Sequence, residues 1–485
     1  MISEILLDQR CIIQGDHFVD YREFNKMVNV LSAYIMHQGW SEKKIACVLK
    51  SGIEFSVIAM ACYKTRCCFV PIHSHISEHE VKNILDSYQI DILFVCAEKI
   101  NTFKKDTFTF FKNLSICVVG CSDDYTTLQS IFAGDFNDLT TLHENHMFDC
   151  SLPAAILSTS GSTDQPKGVM HTFLSLNENI KKWQHVLKIN QNDCLLIAEG
   201  YLLVLAGLFS QATIIFLEDF SPNNFLLMCE KYSITAICFL IPYFFQLTKL
   251  LSQIDAKKIL PQLKSAITGG DAIPEILSRK FYKLTGVPLT ACYGLTELPL
   301  IMSNEIDNEN KAGFLGSPFS HVEIKLDHLQ EFKGNVGELM CRSSAMFMGY
   351  YQHGVLTSNC FDQGWFRTGD IVSLNKNGQY FLIDRVKNII ICGGYNIYPK
   401  EVELALYQLA EIESVCVVGA HDEELGHIPI AYVVLKNNRS ALTTQDLLRF
   451  LQTRLLSYKI PKQIFFVDTI PLNHAGKFDR KLLKN

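Results

Sequence analysis

Short apolar runs alternate with amphipathic stretches through the first third of the chain. Residues 45–49 (IACVL) make a continuous apolar run of strand length, 54–64 (EFSVIAMACYK) carry helical spacing, and 68–72 (CFVPI) are strand-like again. Ser77 followed by Glu80 predicts a capping box that opens the next helix, and 92–96 (ILFVC) close the round. A strand without polar alternation is buried on both faces, so this order predicts parallel sheets covered by helices, an α/β fold.

The pattern returns at 154–157 (AAIL), 213–217, 236–240 and 265–268. The most apolar run, 201–217 (YLLVLAGLFSQATIIFL), is slightly short for a bilayer span and carries Ser210 and Gln211 inside it, so it reads as a buried helix running into a buried strand and not as a transmembrane segment. From 322 to 342 short, turn-rich pieces (HVEIKLD, GNVGELMCR) predict a small antiparallel or barrel-like unit. The last hundred residues mix a helix (PKEVELALYQL), two strands (SVCVVGA, IAYVVLK), a second helix (TTQDLLRFLQTRL) and a strand (QIFFV), enough for a small α+β domain of its own. The expected division is a large N-terminal domain over 1–384 and a small mobile C-terminal domain over 385–485.

Composition narrows the function. With 485 residues, 48% of them hydrophobic and 19% charged, the chain supports more than one lobe around a large core. The formal net charge of -6, with no dense Lys/Arg block, argues against nucleic acid as a partner. Seventeen cysteines are an odd number, and the opening MISEILLDQR lacks a basic-then-apolar leader, so reduced thiols and a cytoplasmic location are expected. Cys62, Cys67, Cys68, Cys117 and Cys121 do not form matched CxxC pairs and read as small apolar core residues, not zinc ligands.

The chemistry starts at 158–168, STSGSTDQPKG. Thr159, Ser160, Gly161, Ser162, Thr163 and Lys167 form a loop of hydroxyls, flexible backbone and a cation at the end of a strand, where α/β sheets place ligands; such a loop suits phosphate oxygens. It is not a Walker A loop, because Pro166 precedes Lys167 and Gly168 follows it. Further along lie GGDA (Gly269, Gly270, Asp271), YGLTE (Tyr293, Gly294, Thr296, Glu297), GEL with GYY, GWFRTGD ending in Asp370, DRVKNIIICGGYNIYPKEVE with Arg385, Gly393 and Gly394, and NHAGKFDRK with Lys477.

In this order and spacing the set resembles the adenylate-forming superfamily, which contains acyl- and aryl-CoA synthetases, luciferases and the adenylation domains of peptide synthetases, over roughly residues 30–485. The resemblance implies ATP-dependent activation of a carboxylic acid to an acyl-adenylate with release of pyrophosphate, followed by transfer to CoA. Joining two anions requires positive charge and hydrogen-bond donors. The resemblance assigns Lys477 to the gap between carboxylate and α-phosphate, Thr296 to the α-phosphate, Glu297 to Mg2+, Tyr293 to adenine and Asp370 with Arg385 to the ribose. It lays the backbone of Gly269, Gly270 and Asp271 against adenine and the acyl group. It also implies a C-terminal domain swinging about 386–388, with Lys387 at the hinge, so that Lys477 serves adenylation and the loop at Gly393 and Gly394 serves thioester formation.

The sequence NIYP after that loop looks like the CoA-ligase branch, so CoA is the expected acceptor, and the apolar residues around the site make a fatty or aromatic acid the expected substrate. Two alternatives stay open: loading of a free-standing carrier protein, and a nucleotide-binding relative with impaired turnover. The second arises from Asp164, which stands where the family has Gly; a carboxylate about 6 Å from a phosphate charge costs roughly 3 kcal/mol at an effective dielectric near 20. A further departure is 197–205 (IAEGYLLVL), where Gly200 and Tyr201 replace a Phe-His pair and Glu199 stands near the position at which peptide synthetases hold an amine. Leu298, Pro299, Leu300, Ile301 and Met302, with Phe239, Leu240, Ile241, Tyr243 and Phe244, fit an acyl pocket or the core equally.

Overall fold

A computed structural model describes residues 7–103, 108, 111, 113–134, 149–158, 167–217, 220–270, 273–304, 313–327, 335–436, 442–471 and 478–483. Among these residues three sheets carry the fold. In a nine-stranded sheet, Pro153–Ser158, Cys68–Ile72, Lys44–Val48, Ile92–Cys96 and Ser115–Val119 run parallel, and Gly168–Thr172 turns back antiparallel beside Pro153–Ser158. In a fourteen-stranded sheet the parallel centre is Leu289–Tyr293, Ser265–Gly269, Ala236–Cys238, Cys194–Ile197 and Thr213–Phe216. It continues through Met302–Ser303 and Phe314–Pro318 into the antiparallel strands Tyr380–Arg385, Trp365–Leu374, Val336–Arg342 and Glu323–Asp327, the last two within 322–342, where the sequence predicted a small antiparallel or barrel-like unit.

Successive strand residues point to opposite faces, and the burial follows that rule. Ile45 and Cys47 enter one core while Ala46 and Val48 enter another. Leu195 and Ile197 likewise face away from Leu196. The largest core joins Ile45, Phe69 and Phe94 of the nine-stranded sheet to Leu195, Ile214 and Phe216 of the fourteen-stranded one. The helices Tyr21–His37, Ile53–Lys64, Phe173–Leu187 and Tyr201–Phe209 contribute to the same core, so they fill the space between the two sheets. The capping box is present: Glu80 N–H meets Ser77 Oγ, and Ser77 N–H meets Glu80 Oε2 at 3.0 Å. The apolar run at 201–217 is the buried helix Tyr201–Phe209 and the strand Thr213–Phe216, and among the described residues no helix is long and apolar enough to cross a membrane.

The C-terminal sheet contains Ile390–Cys392, Tyr395–Ile397, Gly426–Leu435, Ile412–Asp422 and Gln463–Phe466. Val415 and Val417 pack against the helices Pro399–Leu406 and Thr444–Gln452, while Cys416 and Val418 line the opposite face with Ile470 and Leu483. This segment therefore has cores of its own.

Candidate active site

Three candidate segments leave the carboxyl ends of parallel strands. Pro153–Ser158 leads into residues 159–166, Ser265–Gly269 into Gly270, and Leu289–Tyr293 into a closed loop that returns at Met302. Thr159, Ser160, Gly161, Ser162, Thr163, Asp164, Asp271 and Lys477 lie outside the described residues.

Lys167 is exposed at the foot of the first loop, its Nζ 5.3 Å from the centre of the Tyr350 ring. Gly168 must be glycine on space alone, since a Cβ there would stand 2.9 Å from the carbonyl oxygen of Tyr351 and 2.7 Å from Ile156. Gly270 takes φ +92, and a Cβ on Gly269 would come within 3.0 Å of the Cys292 carbonyl oxygen, so the paired glycines serve a tight exit from the strand.

The loop after Tyr293 is not helical. Leu295 N–H bonds to the Leu298 carbonyl at 3.0 Å and Ile301 N–H to the Tyr293 carbonyl at 2.8 Å, closing the loop on itself. Gly294 is enclosed by it, because any Cβ would collide with the Pro299 carbonyl.

Two side chains brace a buried carboxylate beside this loop. Asp370, 4% exposed, accepts the Tyr293 hydroxyl on Oδ2 at 2.7 Å and Arg385 Nε on Oδ1 at 2.6 Å. Asp370 and Arg385 are cross-strand partners, so the ion pair follows from register. Burial, reinforced by the Asp370 carboxylate, pushes the Tyr293 phenol well above its ordinary range, which keeps it a donor. The sequence-predicted residues Tyr293, Asp370 and Arg385 are thus in direct contact.

Glu297 is held from the other side. Its Oε1 accepts the Tyr350 hydroxyl at 2.5 Å and its carbonyl accepts Phe347 N–H at 2.9 Å. The Thr296 carbonyl accepts a hydrogen bond from His171 Nε2 at 2.9 Å. Sequence reasoning singled out the GYY motif without a role for Tyr350 and passed over His171; the first carried a motif as a signal, the second only a polar residue in an apolar strand.

Gly393 and Gly394, at φ +55 and +83, form the two-residue turn between Ile390–Cys392 and Tyr395–Ile397, a geometry that demands positive φ at both positions. Gly393 N–H bonds to the Leu425 carbonyl at 2.8 Å, within the C-terminal sheet, so this turn stands apart from the bonds around Asp370 and Glu297. Just before the 3-10 turn Val386–Asn388, buried Asp384 accepts Asn388 Nδ2 at 2.9 Å and the Lys400 N–H at 2.7 Å, tying both sides of that turn together.

Glu199 also has a partner. His73 Nε2 lies 3.0 Å from Glu199 Oε2, while His73 Nδ1 accepts the His75 N–H at 3.2 Å. His73 follows the strand Cys68–Ile72 of the nine-stranded sheet, and Glu199 follows Cys194–Ile197 of the fourteen-stranded one. The pair therefore links the carboxyl ends of the two large sheets. Of the apolar candidates, Leu298, Leu300, Ile301, Met302 and Phe244 are fully buried core residues, whereas Leu240 is 46% exposed and Ile241 and Tyr243 are half-buried.

Comparison with known proteins agrees with this architecture. A family model described as AMP-binding enzyme matches residues 6–351, and one described as AMP-binding enzyme C-terminal domain matches 401–477. A putative acyl-CoA ligase of Bacillus subtilis is 29% identical over 97% of this chain and 94% of its own length. A long-chain-fatty-acid–CoA ligase of Mycobacterium tuberculosis is 27% identical over 95% and 90%. The ATP-bound crystal structure of MatB from Rhodopseudomonas palustris superimposes with a TM-score of 0.87 at 20% identity, covering 100% of this chain and 96% of that one, a likeness of fold. A closed loop carrying Thr296 and Glu297, a braced Asp370 and matches over both segments place the chain in the AMP-binding enzyme family, in the acyl-CoA synthetase branch of the adenylate-forming superfamily.

Proposed function

We propose that the protein joins a fatty or aromatic carboxylic acid to ATP, releasing pyrophosphate and leaving an acyl-adenylate, and then passes the acyl group to the thiol of CoA with release of AMP. The observation that carries this reading is the buried Asp370 carboxylate, braced by Tyr293 and Arg385 beside the Thr296–Glu297 loop. A carboxylate has about four lone-pair sites, so with two engaged it still has two for the hydroxyls of a ribose. Tyr293, at the end of its strand, fits the adenine-facing role, and Lys167 and the loop before it fit the phosphates.

Glu297 suits Mg2+ by the chemistry of its donor: a hard cation takes carboxylate oxygen, and Tyr350 occupies only one of the two oxygens. When bound, the ion would neutralise phosphate charge. Thr296 then offers its hydroxyl to the α-phosphate, and Lys477 neutralises the approaching carboxylate. In this proposal the C-terminal domain begins at 385 and turns about 386–388 with Lys387 in the hinge, bringing Lys477 and then the Gly393–Gly394 turn to the same centre, because one lid cannot both guard the phosphate and admit a thiol.

ATP–pyrophosphate exchange with fatty, aryl and amino acids tests the first half-reaction, and product mass with CoA or a carrier protein tests the second. Exchange with fatty or aryl acids and an acyl-CoA product support the proposal. ATP binding without exchange for any acid would instead indicate a nucleotide-binding relative, and acylation of carrier protein alone would indicate the loading enzyme.

A further inference from the structure

His171 lies in the strand Gly168–Thr172 and is 1% exposed. Its Nε2 faces the Thr296 carbonyl at 2.9 Å and its Nδ1 faces Ser175 Oγ at 3.1 Å. A carbonyl can only accept, so Nε2 carries the proton. Burial pushes the imidazole down to about 4, which leaves the ring neutral and Nδ1 an acceptor for the Ser175 hydroxyl, a proton shared with the Thr172 carbonyl 3.1 Å away. Ser175 Oγ in turn accepts the Thr172 N–H at 3.0 Å. The cap of the helix Phe173–Leu187 is thereby wired to the backbone of Thr296.

The same strand and helix supply two more buried donors. Asn179 Nδ2 reaches the Ala345 carbonyl at 2.9 Å, and Lys182 Nζ reaches the Leu300 carbonyl at 3.4 Å. Together the three hold the backbone on both sides of Glu297 and the segment just before Tyr350. Tyr350 itself rides on the strand paired with that of His171, Gly349 opposite Met170. One rigid unit thus grips the Thr296–Glu297 pair by its backbone while its neighbour grips the Glu297 side chain.

We infer that His171 is a positioning residue for adenylation: its Nε2–H fixes the Thr296 carbonyl, and through it the place of the Thr296 hydroxyl and the Glu297 carboxylate. This rests on the proposed role of those two residues. A histidine serving packing alone would be replaceable by any ring of its volume, whereas this one needs a donor aimed at one carbonyl.

The test compares His171→Phe, which keeps a ring and removes both nitrogens, with His171→Gln, which restores a side-chain donor, and with Ser175→Ala, which removes the Nδ1 partner together with the Ser175 half of the helix cap. Pyrophosphate exchange is measured for kcat, for the KM of ATP and for the Mg2+ concentration giving half the maximal rate, beside thermal melting and CoA transfer from supplied acyl-adenylate. His171→Phe should lower the exchange kcat roughly tenfold or more and raise the Mg2+ requirement, with transfer changed less than about twofold. His171→Gln should recover much of the loss, and Ser175→Ala should shift kcat in the same direction by a smaller factor. Equal loss of both half-reactions, no rescue by Gln, or unchanged kinetics would overturn the inference. Should His171→Phe fail to fold, an unaltered Mg2+ dependence in Ser175→Ala would overturn it. A wild-type enzyme silent in exchange would remove the proposed reaction and this inference with it, whereas wild-type turnover with unaltered variants counts against His171 alone.

Discussion

The Tyr350 hydroxyl donates to Oε1 of Glu297 at 2.5 Å, joining two residues 53 positions apart. A hydrogen bond to a charged acceptor is worth about 1.5–3 kcal/mol, and here it also fixes which carboxylate oxygen faces outward. Tyr350→Phe keeps the ring against Phe347 and removes only the donor. The exchange rate should fall by about 10- to 100-fold, with the Mg2+ response moved to higher concentration. A titration of exchange rate against Mg2+ checks this, and an unshifted midpoint would show that Tyr350 does not govern Glu297.

Asp370 leads to a different signature. Asp370→Asn retains the shape of the side chain but leaves Arg385 facing a neutral amide in a site where the carboxylate is 4% exposed. Breaking a buried ion pair from one side destabilises by about 3–5 kcal/mol, an upper figure here because the Arg385 side chain is 40% exposed. The melting temperature should therefore fall, and the KM for ATP should rise more than kcat drops, since the proposed ribose contact is the same in ground and transition states. Calorimetry and exchange kinetics on one preparation separate the two effects.

Much of this was legible in the chain because local rules governed it. The runs at Cys68–Ile72 and Ile92–Cys96 became strands with those bounds, and Ser77 with Glu80 formed the expected capping box. Pairings between distant segments left no local trace. Arg10–Gln14 lies parallel to Thr213–Phe216, about two hundred residues away, and nothing in either run specifies the other. Likewise Leu300 and Tyr243 carry the same apolar character in the sequence, yet the first is core and the second half-buried, because periodicity records that a side chain avoids water but not what it packs against. His171 was missed for a related reason, as its worth depends on a carbonyl 125 residues away.

The His73–Glu199 pair makes the join between the sheets sensitive to pH. The hydrogen bond with His73 holds the Glu199 carboxyl below its ordinary 4.5, and the same bond raises His73 above 6.5. The Glu199 contribution is present above 4.5 and lost as pH falls through the depressed value; that of His73 is complete below 6.5 and lost as pH rises through the raised one. Stabilisation is accordingly greatest between 4.5 and 6.5 and weakens on either side. Both side chains are half-exposed, so the effect is modest and falls with added salt. Melting temperatures of the wild type and Glu199→Gln, measured from acid to alkaline pH, should differ most inside that window; a difference independent of pH would mean that the pair does not act as a titrating link.

The proposed exchange of lids makes two variants behave in opposite ways. Lys477→Ala removes the charge that lets carboxylate and α-phosphate approach, so acyl-adenylate formation should collapse while CoA transfer from supplied acyl-adenylate survives. Gly394→Leu leaves that lysine in place. Among the described residues nothing beyond its own chain neighbours lies within 4 Å of a Cβ at Gly394, but φ +83 imposes about 1–2 kcal/mol of backbone strain and the side chain stands on an exposed turn. Transfer to CoA should slow by about tenfold or more, and pyrophosphate exchange by far less. The contrast is decisive because both residues sit in the C-terminal part of the chain: general damage to that part would depress both half-reactions in both variants, whereas a crossed pattern requires each face of it to serve its own step.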